Sequence, residues 1–231
     1  MAKIPDPKVR AIAALADRMV RDMEGHPFAL RMQAEVNRLR NGAEALDRVV
    51  ANRSPLDTPS AHALKVAKMA RQLDGEICGT INRLGAIARE GVQDVQRRID
   101  MKVDLKPDSF ASEIRAAFRS LDSAEKAKLI NRLVKENRGP ELAAIVKAPS
   151  VLTGITDEQR AAYEKSMLST HAGAEVDENA RLEEVFGSAM TACGTTGRYC
   201  TSLIDPGKLA EIERGASAAD EAGNAFNQSL Q

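Results

Sequence analysis

The chain has 231 residues, enough to bury a core of its own. Its 33 Lys and Arg offset 33 Asp and Glu, which argues against a globally basic nucleic-acid binder or a membrane-surface protein, and 43% apolar content argues against disorder throughout. No apolar run reaches transmembrane length, no apolar leader follows Met1, and three cysteines, an odd number, suit a reducing cytosol, so a cytoplasmic protein is expected.

Helical period runs through almost the whole chain. Asp6 followed by Pro7 is a helix start, since a carboxylate can cap free backbone N–H groups and proline is tolerated in the first turn. Val9, Ile12, Ala16, Met19, Val20 and Met23 then mark one face, and Gly25 closes it. From Pro27 a second helix carries Phe28, Met32, Val36, Leu39, Ala43, Leu46 and Val50 in a nearly strict heptad. Ser54–Ser60, with two prolines, reads as a turn.

A third helix is expected over 60–106. Its apolar positions, Val66, Ala70, Leu73, Ile77, Ile81, Leu84, Ala88, Val92, Val95 and Ile99, recur in steps of 4, 3 and 4. That is an eleven-residue repeat of about 3.67 residues per turn. Such a helix would be about 70 Å long, and Gly75, Gly79, Gly85 and Gly91 leave open whether it is one rod or kinked.

Beyond Pro107 the elements are shorter. Asp108 or Ser109 is placed to cap a helix bearing Phe110, Ile114 and Phe118. Asp122–Glu125 and Thr156–Gln159 have the form of capping boxes. Val176, Leu182, Val185, Phe186 and Met190 mark a further helix expected to run out at Gly194, before a flexible Gly/Thr loop. Pro206 starts a last helix that dissolves beyond Gly215. No run of alternating β-branched residues predicts a strand.

Chemistry is thinly written. Cys193 and Cys200 flank Gly-Thr-Thr-Gly-Arg-Tyr, but a structural zinc site needs four ligands at closer spacing, and only Arg198 would activate a thiol there. His26, His62 and His171 lie at helix ends without a nucleophile or carboxylate at triad spacing. Asp177, Glu178, Glu183 and Glu184 form an acidic face without a Glu-x-x-His partner. Arg31, Arg38, Arg40, Arg48 and Arg53 alternate with Glu35, Glu44 and Asp47, as intrahelical pairs do. No catalytic residue, cofactor site or metal site is therefore expected.

Glu141-Leu-Ala-Ala-Ile-Val-Lys-Ala-Pro-Ser-Val-Leu-Thr-Gly-Ile155, leading into Thr156, resembles segments of small helical proteins encoded among the structural genes of tailed bacteriophages. The resemblance covers about fifteen residues and implies a virion or assembly role. It carries no functional residue with it.

The expectation is an all-α protein: a coiled-coil-like helical hairpin over 1–106 (helices about 7–24, 27–52 and 60–106), a small multi-helix domain over 107–173, and a helical segment, loop and weakly structured tail over 174–231. Residues 1–106 carry 19 basic and 14 acidic side chains, a net of +5, and residues 107–231 carry the opposite imbalance, as contact between copies would use. The expected function is non-enzymatic: a structural or assembly protein, cytoplasmic or in a virion, that associates with itself or other structural proteins. Met32, Val36, Leu39, Leu46, Val66, Leu73, Ile77, Ile81, Leu84, Val92, Val95 and Ile99 are its candidate interface, on the premise that one chain cannot cover such stripes. The alternative is a regulatory module meeting nucleic acid through its basic N-terminal half.

Overall fold

A computed structural model describes residues 4–229, and the protein is all-α. The helices are α1 (Pro7–Asp22), α2 (Pro27–Ala51), α3 (Pro59–Val103), α4 (Ala111–Ser120), α5 (Ser123–Lys135), α6 (Gly139–Val146), α7 (Ser150–Thr153), α8 (Asp157–His171), α9 (Gly173–Ser202) and α10 (Pro206–Ser229). No strand occurs among the described residues.

Local chemistry explains most boundaries. The Asp6 carboxylate accepts from the Lys8 amide at 2.7 Å, capping α1. Both capping boxes close: Asp122 and Glu125 exchange bonds at the start of α5, as Thr156 and Gln159 do at the start of α8. Gly154, at φ 71°, ends α7 in the left-handed conformation a β-carbon disfavours. The start of α4 corrects the expected cap. The helix opens at Ala111 with Phe110 at the N-cap, and Asp108 instead bonds the Phe110 amide in a preceding turn, leaving Phe110 exposed.

Of the described residues, those up to Ala88 join those from Glu184 onward in one compact unit, and Arg89–Glu183 form a second. The division differs from the expected segments at 106 and 173. It falls within α3 and α9, each of which contributes to both units, so composition changes at Pro107 and Gly173 mark helix ends rather than unit ends.

In the first unit, α1 packs on α2, and Ile12, Met19, Met32, Val36, Leu39, Leu46, Leu84 and Tyr199 are almost fully buried. In the second, α6 is the centre, packed by α4, α5 and α8. Leu142–Val146 is buried without a break, which accounts for a helix apolar all round instead of along one stripe.

Of the rod and the kinked form left open for α3, the structure has one hydrogen-bonded helix, continuous through Gly75, Gly79, Gly85 and Gly91. The expected Gly/Thr loop is helical too, because α9 runs past Gly194 to Ser202, and α10 continues beyond Gly215 to Ser229.

Candidate functional site

The structure uses the candidate interface residues as core. Met32, Val36, Leu39, Leu46, Val66, Ile77, Leu84, Val95 and Ile99 are buried by the chain itself, and Leu73 and Ile81 are half-buried. The premise that one chain cannot cover the stripes is thus corrected: its own helices cover them. Val92 alone of the twelve is exposed, at 38%. The covered line of α3 runs through Thr80, Leu84, Ile87, Gly91 and Val95, not through Ile81, Ala88 and Val92. A count of apolar residues passes over threonine and glycine, which here occupy covered positions.

Two buried polar side chains of the first unit, Glu35 and Tyr199, find partners within that unit. Glu35 of α2 is buried and accepts from Arg83 Nε at 2.8 Å and from Arg38 at 3.1 Å. Arg83 also donates to the Thr80 hydroxyl at 3.0 Å. Arg38 is an intrahelical partner of the kind the charge spacing of α2 predicts, whereas Arg83 lies 48 residues away on another helix and leaves no local signal. The Tyr199 hydroxyl donates to Asp47 at 3.3 Å, and burial, then Asp47, push its pKa up.

Cys193 and Cys200 are buried and reduced, whereas Cys78 is exposed. Burial raises the pKa of both interior thiols; with Asp74 adding to the effect, Cys200 reaches about 11. That is the opposite of the depressed pKa of a reactive thiolate. The two sit two turns apart on α9, held among core side chains.

In the second unit, the end of α3 carries several ion pairs. Arg98 bonds both oxygens of Glu178, at 2.5 and 2.9 Å, and pairs with Asp94 at 3.2 Å. One turn on, Lys102 pairs with buried Glu175 at 2.7 Å, and this bond holds the Glu175 carboxyl below its ordinary range. The acidic residues at 175 and 178 are therefore anchors for α3 rather than a purely solvated face.

The turn from α5 to α6 closes over the same helix end. Asn137, at φ 53°, donates its side-chain amide to the Lys102 carbonyl at 2.8 Å, and Gly139 packs its backbone on the Val103 carbonyl. His171 Nε2 lies 2.5 Å from the Val134 carbonyl, the geometry of an N–H donor, and so ties the end of α8 to the end of α5.

Among the described residues no group of three His, Cys, Asp or Glu converges as a metal-binding set, and no helix is long and apolar enough to cross a membrane. Large apolar side chains that remain exposed in the second unit include Val151 (83%), Met101 (77%) and Phe110 (65%). The chain matches no protein-family model, and comparison with curated proteins and with solved structures finds no significant match.

Proposed function

We propose that the protein is a non-enzymatic assembly protein that associates with a second copy of itself. The observation that carries this reading is the exposure of Met101, Phe110 and Val151, the three most exposed large apolar side chains of the second unit. Water contact on such residues is relieved when they are buried at an interface, at about 25 cal/mol per Å² of apolar area. The opposite charge imbalance of the chain's halves favours complementary contact between copies. The likeness of residues 141–156 to phage structural proteins suits a role in a virion or its assembly.

The nucleic-acid reading has less support. Arg38 is engaged by Glu35, and Arg40 lies between Asp17 and Glu44, so part of the basic charge on α2 is already answered.

The test is solution mass by light scattering across a dilution series. The expected result is a multi-subunit mass that falls towards the monomer when Met101, Phe110 and Val151 are all replaced by serine. A wild-type monomer at every concentration would remove self-assembly as the function. A salt-steep gel shift with DNA or RNA from that monomer would then favour the alternative.

A further inference from the structure

A recess of about 190 Å³ lies in the second unit where α3 ends beside α8, and nothing in the assembly reading uses it. Its apolar wall is Ile99 and Val103 of α3 with Leu168 of α8, and its charged groups are Asp100, Lys147 and Glu164. For scale, an engineered cavity of about 150 Å³ holds benzene. The volume suits a molecule of that size.

Charge decides the kind of molecule. Lys147 is already paired with Glu164 at 3.0 Å. Asp100 accepts a bond from the Gln96 amide at 2.7 Å, which orients it without neutralising it. Its ion-pair partner, Lys106, stands 3.8 Å away on a side chain 74% exposed, where water screens the pair. Two carboxylates against one lysine leave the lining with one negative charge in excess, beside an apolar wall.

The wall is also held in place. Leu105 lines the recess directly after Asp104, whose φ of 43° is a left-handed conformation that a residue with a β-carbon adopts at a cost. The Lys106 amide bonds back to the Asp104 carbonyl at 2.7 Å, and the α5–α6 turn packs Gly139 against the Val103 and Asp104 carbonyls. A site whose lining is fixed before binding loses less freedom when occupied.

We infer that this recess binds a small organic monocation, a primary ammonium on a short apolar chain, with the ammonium on Asp100 and the chain against Ile99 and Leu168. A cation without a chain leaves the wall wet, and an anion of the same shape meets the Asp100 carboxylate.

The test titrates n-butylammonium chloride into the full-length protein by calorimetry, with sodium butyrate and ammonium chloride as matched probes. The expected result is saturable one-to-one binding in the millimolar range for butylammonium alone. Asp100→Asn, which keeps the shape and removes the charge, should weaken it about tenfold or more. Leu168→Phe, which fills the recess, should abolish it. Absence of saturable butylammonium binding to the wild-type protein would overturn the proposal. So would equal binding of butyrate or of ammonium, comparisons that need no variant to fold, or an unchanged affinity in Asp100→Asn.

Discussion

Gly139 shows how one side chain can be forbidden by a backbone far away in sequence. A β-carbon there would lie 1.7 Å from the Val103 carbonyl oxygen, and neither partner is a flexible side chain that could yield. Gly139→Ala is therefore expected to cost at least about 3 kcal/mol, read from urea melts, because helix-end backbone must move to admit it. Gly187 is the control: a β-carbon there meets nothing within 4 Å, so Gly187→Ala should leave stability unchanged or raise it by up to about 1 kcal/mol through helix propensity. Thiol accessibility is the second residue-scale prediction. With Cys78 exposed and Cys193 and Cys200 buried at raised pKa, a disulfide reagent at pH 8 should modify one thiol in the native protein and three after denaturation. Rapid native modification of all three would show that the interior of α9 is open. Arg83→Ala leaves buried Glu35 with Arg38 alone and is expected to cost about 1–3 kcal/mol.

At the scale of elements, α3 and α9 are where pattern and packing part. The eleven-residue repeat puts Val92 on the covered line of α3; the structure puts Ile87 there, at 7% exposure, and leaves Val92 at 38%. Ile87→Ala should then cost about 2–5 kcal/mol, while Val92→Ala should stay within about 0.5 kcal/mol, as surface changes do. Equal losses in thermal or urea melts would restore the repeat as the packing face. In α9, low helix propensity of glycine and threonine predicts a loop over 193–200. Yet Thr191, Thr195, Thr196 and Thr201 each donate a hydroxyl bond to the carbonyl four residues back, at 2.8–2.9 Å. Those hydroxyls need no other partner, so Thr195 and Thr196 can be buried without loss and Tyr199 and Cys200 anchor the helix in the core. Burial of an amphipathic face outweighs a propensity deficit of a few tenths of a kcal/mol per residue.

For the whole molecule, ionisation predicts stability loss on both sides of neutrality. Glu175 is held below the ordinary carboxylate range chiefly by its bond to Lys102, and Glu141 chiefly by its bond to Arg138. A carboxylate depressed in the folded state contributes stability that is present above its unfolded pKa, near 4.3, and is lost as pH falls through the folded value. The melting temperature should accordingly drop below about pH 4. Cys200 and Tyr199 shift the other way, so their contribution is full at neutral pH and is lost as pH rises, for Cys200 between its ordinary range and about 11. A melting temperature flat from pH 3 to pH 11 would contradict both assignments. Light scattering belongs at this scale too, since exposed Met101, Phe110 and Val151 matter to the chain only through what covers them.

What the sequence determined by itself was set by neighbours in the chain. Capping by Asp6, Asp122 and Thr156, the breaks at Gly25 and Pro107, the all-α class and the stripe of α2 follow from interactions within a turn or two of helix, and each is present in the structure. Only tertiary structure decided which chain covers the stripes, how the units divide α3 and α9, and that Arg83 answers Glu35 and Lys102 answers Glu175. The recess at the end of α3 belongs to the same class, since Asp100 and Glu164, 64 positions apart in sequence, line it together. The reason is physical: helix formation is encoded over four-residue spacings, whereas burial depends on partners that the fold alone brings near.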